Sequence, residues 1–318
     1  MKPDPSGPDG PVCDLCGQAA VFMDRIRNRH LCGDHFVGDV EERVKCTIQE
    51  YAMVQPGDRL AVALSGGKDS TVLLHLLRRL LPGAHLVAVT VDEGIEGYRE
   101  ATLRSAEATT ARLGIDHHVL SFKELYGRTL DGILRGQPDR ACSICGILRR
   151  KAINTIARRA GASKLATGHN LDDEAQSVLM NWLQGDRKRI FGRRGENGAQ
   201  GLVPRVKPLR EIPEKEVALY GILQGLYLDL PECPYRHTAL RGEVRGILTT
   251  LEFGHPGTMR RVVEGQAKLS RELRSLPLAA RPFLACERCG DPTSGRLCQA
   301  CRLLYLGGGS ETIVSLDR

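Results

Sequence analysis

Long apolar segments are absent from this chain of 318 residues, and no run reaches the roughly 18 consecutive apolar residues that a membrane-spanning helix needs. The first residues, MKPDPSGPDGPVC, have neither the basic region nor the apolar region of a secretory signal. The sequence therefore predicts a globular cytoplasmic protein with no membrane segment.

A strong excess of charge of one sign is missing too. The 45 Lys and Arg residues outnumber the 38 Asp and Glu residues, which gives a formal net charge of +7. This excess suits a polyanionic partner, but many soluble protein surfaces carry as much. Charge alone therefore assigns no partner, and 318 residues allow either one large domain or two ordinary ones.

The eleven cysteines are the most informative feature that is present. Disulfides are rare in a reducing compartment, so metal binding or thiol chemistry is the better explanation. Ligand pairs separated by two residues suit tetrahedral Zn²⁺, and a set of four protein ligands leaves no open position for catalysis. We therefore predict two structural zinc sites, which we call the N-terminal and the C-terminal knuckle: Cys13, Cys16, Cys32 and His35 form the first, and Cys286, Cys289, Cys298 and Cys301 form the second.

Four cysteines remain outside the knuckles. Cys142 and Cys145 form another closely spaced pair, and Cys233 lies far along the chain. Three thiolates suit an iron–sulfur cluster with one iron left open, or a redox pair with a third nucleophile. Buried, inert cysteines are the remaining alternative. Cys46 has no partner at ligand spacing, and we assign it no role.

Strand and helix patterns alternate through the middle of the chain. A buried-strand pattern at 59–64 stops at a glycine-rich loop, and a helical pattern follows. The continued alternation predicts an α/β fold with a doubly wound parallel sheet, in which ligands bind at the carboxyl ends of the strands. Further strands are predicted at 86–91, 118–122 and 164–167, and helices at 39–51, 101–113, 147–160, 171–183, 214–226 and 243–276.

The loop Ser65-Gly-Gly-Lys-Asp-Ser70 carries the sharpest phosphate-binding signal. Two glycines allow a tight turn that points backbone N–H groups at an anion, and the following helix adds its positive end. Lys68 and the two serine hydroxyls offer further contacts. The spacing differs from the Walker pattern, and an ordinary strand-to-helix turn with Asp69 or Ser70 as its cap is the alternative.

Acidic residues follow two other predicted strands. The run Asp172-Asp-Glu174 opens a helix, where the helix dipole favours carboxylates even without a function. Asn170 and Asp173 also fit a capping pair there. Asp92 and Glu93 follow the strand that ends near residue 91, a position often used for nucleotide contacts, although they fit a solvated turn as well.

The SGGKDS loop resembles the PP-loop of the N-type ATP pyrophosphatases, which cleave ATP between the α- and β-phosphates and adenylate a substrate. Across nearly the whole chain, the layout resembles the tRNA 2-thiouridine synthetases of the TtuA type, within the TtcA/TtuA family. Five stretches carry this resemblance: the two knuckles, SGGKDS, Cys142-Ser-Ile-Cys-Gly146, and Thr167-Gly-His-Asn-Leu-Asp-Asp-Glu174.

The resemblance implies an enzyme that adenylates the C2 oxygen of a tRNA uridine and replaces it with sulfur. It implies ATP, Mg²⁺, two Zn²⁺ and one four-iron four-sulfur cluster as cofactors, with the cluster held by Cys142, Cys145 and Cys233. The implied partners are tRNA, a ubiquitin-like sulfur carrier with a C-terminal thiocarboxylate, and a second copy of the chain in a homodimer. Catalytic roles are expected for Cys142, Cys233, Asp173 and Lys151, and ATP contacts for Ala63, Leu64, Ser65, Gly66, Gly67, Lys68, Asp69, Ser70, Val91, Asp92, Gly168 and Asp173.

We divide the chain into the N-terminal zinc knuckle (1–38), a PP-loop catalytic domain with a linking helix and a helical C-terminal part (39–276), and the C-terminal knuckle with its tail (277–318). The basic, glycine-rich segment 185–195 is predicted to be a surface loop, whose residues 187–194 hold tRNA phosphates together with the knuckles.

Two alternatives stay open. One is a tRNA 2-thiocytidine synthetase or another PP-loop ligase that modifies tRNA, although the 2-thiocytidine enzymes lack paired knuckles. The other, outside the enzymes, is a zinc-knuckle RNA-binding scaffold with a degenerate nucleotide pocket. The presence of Lys68, Asp69 and Asp173 argues against degeneracy.

Overall fold

The computed structural model describes residues 10–134, 138–190, 201–226, 230–235, 240–274 and 284–306. Its strands are β1 (Phe22–Asp24), β2 (Arg29–Leu31), β3 (Arg59–Ala63), β4 (His85–Asp92), β5 (Asp116–Ser121), β6 (Lys164–Ala166), β7 (Arg205–Val206), β8 (Leu284–Ala285) and β9 (Pro292–Thr293). The main sheet is fully parallel and has the order β5-β4-β3-β6-β7. The predicted α/β fold is therefore confirmed. The pairs β1-β2 and β8-β9 are antiparallel.

Helices connect the strands and cover both faces of the sheet. They are α1 (Gly33–Glu50), α2 (Lys68–Leu80), α3 (Arg99–Leu113), α4 (Phe122–Tyr126), α5 (Leu130–Leu134), α6 (Ala141–Arg159), α7 (Leu171–Leu183), α8 (Arg187–Ile190), α9 (Glu214–Leu223), α10 (Leu240–Gly254), α11 (Thr258–Arg274) and α12 (Gln299–Leu306), with a 3₁₀ turn at Pro138–Arg140. Among the described helices, none is both long and apolar enough to cross a membrane.

Two hydrophobic clusters sandwich the sheet because neighbouring strand residues point to opposite faces. Leu60 and Val62 of β3 pack with α1, α2 and α9, together with the N-terminal knuckle. Ala61 of the same strand packs on the other face with α6 and with the C-terminal knuckle. Each knuckle is thus continuous with one half of the core.

A third, smaller cluster joins α7 to α10 and α11. Leu171 and Ala175 of α7 pack against Val244 and Leu248 of α10 and against Met259 of α11. This packing brings α10 over the end of α7 that lies nearest the carboxyl edge of the sheet.

Several predicted boundaries were wrong. The linking helix begins at Gly33 rather than 39, and α6 begins at Ala141 rather than 147, so the pair Cys142 and Cys145 lies inside the helix. The helical pattern at 243–276 is two helices, because Pro256 lacks the N–H that a continuous helix needs. In the predicted basic loop, residues 187–190 form the short helix α8, and residues 191–195 lie outside the described part of the chain.

Candidate active site

The predicted phosphate-binding loop lies between β3 and α2, at the carboxyl end of the central strand. Gly66 has φ +85°, and a Cβ at this position would lie 1.9 Å from the carbonyl oxygen of Thr102, so only glycine fits. The hydroxyls of Ser65 and Ser70 lie 3.0 Å apart, and Ser70 Oγ donates to the carbonyl of Gly67 at 2.9 Å. These bonds hold the loop at the N-terminus of α2, which is a favourable position for an anion.

Lys68 is surrounded by carboxylates. Its ammonium donates to Asp69 Oδ2 at 3.0 Å and to Glu214 Oε1 at 2.7 Å. Arg245 pairs with the second carboxylate oxygen of Glu214. Desolvation opposes the positive charge of Lys68, but the two carboxylates outweigh it and raise its pKa. An incoming phosphate therefore competes with Glu214 for both cations.

The segment that follows β6 lies directly against this loop. A Cβ on Gly168 would lie 3.1 Å from the backbone carbonyl group of Asp69, so the two backbones approach closely. Asn170 Nδ2 donates to Asp69 Oδ1 at 3.3 Å. The predicted capping pair is present, because Asn170 Oδ1 accepts the N–H of Asp173 at 3.0 Å and the Asp173 carboxylate accepts the N–H of Asn170. The ends of two strands thus form one site.

Burial raises the pKa of the three aspartates at this site, Asp69, Asp172 and Asp173. The negative charge of Asp173 adds to the rise at Asp69. The Asp172 carboxylate accepts the backbone N–H of Glu214, the first residue of α9, at 2.7 Å. The Asp173 carboxylate forms an ion pair with Arg241 at 3.5 Å. Asp69 and Asp173 are therefore the carboxylates best suited to bind a divalent cation together with phosphate.

Two other members of the same motif have structural contacts. Glu174 pairs with Lys207, which lowers the pKa of the carboxyl group against the effect of desolvation. His169 Nδ1 lies 2.9 Å from Thr167 Oγ1. These contacts hold the start of α7 in place beside the loop.

The end of β4 is tied to the phosphate-binding loop by one arginine. Arg99 donates to the carbonyls of Val91 and Ser65, the latter at 3.1 Å, and forms an ion pair with Glu93 at 2.9 Å. Glu93 is buried. Asp92 Oδ1 accepts a backbone N–H two residues further on. The expected ATP contacts at β3 and β4 therefore lie on adjoining strand ends.

Three of the four cysteines outside the knuckles interact near the N-terminus of α6, and we call them the cysteine triad. Cys142 and Cys145 lie in the first two turns of α6, and Cys233 lies in the described segment 230–235. Cys142 Sγ donates to the carbonyl of Tyr235 at 3.2 Å, and the three thiols interact electrostatically. Burial raises the pKa of the Cys145 thiol to about 12, a rise that the nearby Arg149 guanidinium opposes.

The donor set of the triad suits an iron–sulfur cluster with one open iron, because it offers three thiols while every other cysteine lies in a knuckle or, for Cys46, on α1. Cys46 lies on α1, where its thiol contacts Glu42 at 3.5 Å. Because α6 leads into the parallel strand β6, its N-terminus lies at the carboxyl edge of the sheet. The triad and the phosphate-binding loop therefore share one edge.

Both predicted zinc sets are assembled. Within each knuckle, the four ligand atoms lie within 4.8 Å of one another. The sulfur atoms of Cys16 and Cys32 lie 3.7 Å apart, as do those of Cys289 and Cys298. Tetrahedral zinc with Zn–S bonds of about 2.3 Å separates neighbouring sulfurs by about 3.8 Å. The donor sets and their spacing therefore fit two closed zinc sites.

Lys151, expected as a catalytic residue, contacts the C-terminal knuckle instead. Its ammonium forms an ion pair with Asp291 and donates to Cys289 Sγ at 3.0 Å. Desolvation disfavours the charge, but Asp291 and Cys289 outweigh it and raise the pKa of Lys151. The side chain thus ties α6 to the C-terminal knuckle, because Asp291 is close in space although it is 140 residues away in sequence.

Sequence reasoning missed Arg99, Glu214, Arg241 and Arg245. Arg241 and Arg245 lie one helical turn apart on α10, which was a usable signal for two cations on one face. Glu214 carries no local signature, since Lys68 is 146 residues away in sequence. Arg99 contacts Val91 and Glu93 nearby in sequence, but its bond to the loop carbonyl of Ser65 spans 34 residues and left no local signal.

A parallel sheet with a glycine loop after its central strand, and with polar groups gathered at that strand's carboxyl end, defines a nucleotide-binding α/β protein. The family model of the PP-loop domain matches residues 39–226, and the chain belongs to this PP-loop family.

Relatives in three organisms resemble nearly the whole chain. The tRNA 2-thiolation protein NcsA of Haloferax volcanii is 39% identical over 322 residues, which cover 92% of this chain and 98% of the relative. Cytoplasmic tRNA 2-thiolation protein 1 of Bos taurus is 40% identical over 305 residues, covering 92% and 87%. The solved structure of the U34-tRNA thiolase NcsA from Methanococcus maripaludis with its 4Fe-4S cluster is 32% identical, with a TM-score of 0.82 and coverage of 94% and 97%.

These relatives carry the NcsA and 2-thiolation protein 1 names, so the expected TtuA type is not confirmed within the PP-loop family. The findings support a PP-loop protein similar to tRNA 2-thiolation proteins and leave the type within that family undecided.

Proposed function

We propose that this chain is an ATP-dependent sulfurtransferase that replaces the C2 oxygen of uridine 34 in tRNA with sulfur. The observation that carries the proposal is the shared edge of the phosphate-binding loop and the cysteine triad. One series of contacts links them, because Arg99 binds the loop carbonyl of Ser65, Glu93 pairs with Arg99, and Arg149 of α6 pairs with Glu93. An activating site and a sulfur site then act on one bound base.

The chemistry has two steps. First, the C2 oxygen of uridine attacks the α-phosphorus of ATP, and pyrophosphate leaves. Second, hydrosulfide attacks C2 and loses its proton, the C–O bond breaks, and AMP leaves with that oxygen. When the sulfur arrives as a thiocarboxylate, water cleaves the acyl C–S bond and the carrier leaves as the carboxylate. The first step converts a poor leaving group into a good one, which is why ATP is consumed.

The loop residues serve the first step. The backbone N–H groups at the start of α2 and the ammonium of Lys68 bind the phosphates and stabilise the charge that develops on pyrophosphate. Asp173 and Asp69 hold Mg²⁺ beside those phosphates. Lys68 is released for this work when phosphate displaces Glu214 from it.

The triad serves the second step. When bound by Cys142, Cys145 and Cys233, a 4Fe-4S cluster supplies an iron with an open position for a sulfur ligand. Cys142 and Cys145 lie in the first two turns of α6, where the positive end of the helix favours a negatively charged group. The exposure of Cys142 leaves room for a donor to approach.

The proposal extends to cofactors, partners and organisation. We infer one Zn²⁺ in each knuckle, a ubiquitin-like sulfur carrier with a C-terminal thiocarboxylate as donor, a homodimer, and the division 1–38, 39–276 and 277–318. The choice of uridine 34 is supported by the likeness to a protein named a U34-tRNA thiolase. A cytoplasmic location is supported by the name of the bovine relative.

The test uses anaerobically reconstituted protein with ATP, sodium sulfide and a tRNA transcript that has uridine at position 34. Mass spectrometry of the digested tRNA is expected to show 2-thiouridine, with AMP formed in equal amount. A transcript with cytidine at position 34 serves as the control. Product from the control transcript, or 2-thiocytidine from either, would overturn the uridine 34 assignment.

A further inference from the structure

One buried carboxylate lies between two arginines with different surroundings. Glu93 has a side chain that is 5% exposed, and its two oxygens lie 2.9 Å from Arg99 Nε and 3.7 Å from Arg149 Nη1. The side chain of Arg99 is 5% exposed, whereas that of Arg149 is 58% exposed. The carboxylate thus has one enclosed cation and one that reaches solvent.

The enclosed arginine is committed to structure. Arg99 also donates to Ser65 O, Val91 O and Thr102 Oγ1, so its charge and its donors are used within the fold. Arg149 has a different position, because Glu93 holds it on one side while most of its side chain faces water.

Arg149 shares a helix face with the triad. On α6, Cys142, Cys145 and Arg149 are spaced by three and four residues, which places them one above the other on a single face. The guanidinium interacts electrostatically with the thiols of both Cys145 and Cys233. A cation whose side chain is more than half exposed therefore lies close enough to two thiols of the triad to interact with them electrostatically.

We infer that Arg149, oriented by Glu93, binds the negatively charged sulfur donor as it arrives at the triad. This inference rests on the proposed function for the identity of that donor. Every donor of the proposed kind is an anion, either hydrosulfide or a thiocarboxylate. A guanidinium stays charged at any working pH and offers a planar fork of donors that matches a carboxylate-like group.

The first test needs neither ATP nor tRNA. Full-length protein that holds zinc but no iron is treated with iodoacetate, an anion, or with iodoacetamide, its neutral counterpart, and peptide mass spectrometry follows each cysteine. Both reagents react with the thiolate, so the ratio of their rates removes any change in thiol pKa. In Arg149→Gln, we expect the iodoacetate-to-iodoacetamide ratio at Cys142 and Cys145 to fall about two- to fivefold, the effect of one exposed charge.

Each sample contains its own control. The ratio at Cys46, on α1, is expected to stay constant in every variant. Arg159→Gln is the matched control variant, since Arg159 is an exposed arginine of α6 about 15 Å further along the helix, beyond the screening length at 0.1 M salt. A fall of the same size in Arg159→Gln, or no fall in Arg149→Gln, overturns the inference and leaves the thiolation proposal intact.

Glu93→Gln tests the orienting role. Removing a negative charge alone would raise the local attraction for iodoacetate, whereas releasing Arg149 from its anchor would lower it. We expect the ratio at the triad to fall. A rise shows that Glu93 does not orient Arg149.

Thiolation kinetics give the second readout. With sodium sulfide as the donor, Arg149→Gln is expected to raise the KM for sulfide about tenfold while kcat and the KM for ATP stay near their wild-type values. A raised KM for tRNA with an unchanged KM for sulfide overturns the inference and assigns Arg149 to tRNA phosphate. Arg149→Lys should restore part of the wild-type KM for the donor. The restored part should be smaller with a thiocarboxylate peptide than with sulfide, because an ammonium lacks the planar fork that matches a carboxylate-like group.

Discussion

The cysteines of the knuckles and those of the triad differ in the number of ligands that they bring together and in their exposure to solvent. In each knuckle, four ligand atoms lie within 4.8 Å of one another, and most of the cysteines are buried. The triad has three thiols, of which Cys142 is exposed and the other two are partly buried. Cysteine thus contributes to a closed set of four ligands in each knuckle and to an open set of three thiols in the triad.

The two kinds of site also differ in how they join the core. Cys286, Cys298 and Cys301 belong to the hydrophobic cluster that packs α6 on the sheet, and the N-terminal knuckle joins the cluster on the other face. In the triad, Cys145 and Cys233 are only partly buried against the margin of that cluster, and Cys142 is exposed at the end of α6. Loss of a knuckle ligand should therefore damage the fold, and loss of a triad ligand should damage mainly the chemistry.

The largest effect is expected for Cys301→Ser, which removes a fully buried ligand from the C-terminal knuckle. Loss of the metal and of core packing should lower the free energy of unfolding by about 3–5 kcal/mol and release the zinc of that knuckle. Thermal denaturation and metal analysis measure both. Cys46→Ser, at an exposed cysteine, is the control. Unchanged zinc and Tm in Cys301→Ser would show that the set of four binds no metal.

The second-largest effect is expected at the triad, where a substitution should remove the chemistry and keep the fold. Serine at any one of Cys142, Cys145 and Cys233 should abolish iron binding and 2-thiouridine formation, since two thiolates anchor a four-iron cluster poorly. Zinc content, Tm and ATP affinity should stay near wild type, because other segments build those sites. A Cys233→Ser enzyme with full iron content and full thiolation contradicts the triad.

Lys68→Ala should lower the rate of tRNA-dependent AMP release by about 10²- to 10³-fold, the cost of removing one charge that stabilises the transition state. Zinc, iron and Tm should stay near wild type, because Lys68 is the first residue of α2 and its side chain, like those of its partners Asp69 and Glu214, is partly exposed. Lys45→Ala, at an exposed lysine of α1, is the control. Wild-type AMP release in Lys68→Ala argues against the phosphate-binding role of this loop.

The sequence predicted the sheet well and the helix starts less well, for a physical reason. Strand patterns at 59–64 and 86–91 match β3 and β4 because buried strands are continuous apolar runs. The early turns of α6 were missed because Cys142, Cys145 and Gly146 carry no helical signal. Packing decides there, since Ala141, Ile144 and Leu148 are all buried.

Only part of the candidate site could be predicted from the sequence. Contiguous motifs revealed the phosphate-binding loop, the capping pair at Asn170 and Asp173, and the knuckles. Glu214 and Arg245 were missed because charged residues on helices resemble a solvated face, and only the tertiary fold brings them to Lys68. The contact between Lys151 and the C-terminal knuckle was missed for the same reason, because its partner Asp291 is distant in sequence.

The smallest effect concerns pH and distinguishes the loop site from the triad. Burial raises the pKa of Asp173 above its ordinary value of 3.8, and the charges of Glu214 and Glu174 add to the rise. The folded protein therefore binds this proton more readily than the unfolded chain, so the associated stability is present at low pH and is lost as the pH rises through the raised pKa.

Binding of Mg²⁺ has the opposite dependence, because it needs the charged carboxylate. As the pH falls from 7 toward the raised pKa, the Mg²⁺ concentration required for half-maximal AMP release should increase in the wild-type enzyme. Asp173→Asn keeps the capping geometry, and it should need more Mg²⁺ at pH 7 but lose most of the pH dependence. Asp116→Asn, at an exposed residue that begins β5 on the opposite edge of the sheet, should behave as wild type. If Asp173→Asn keeps the wild-type pH dependence, another group titrates, and Asp69, which faces the same cation position, becomes the residue to replace.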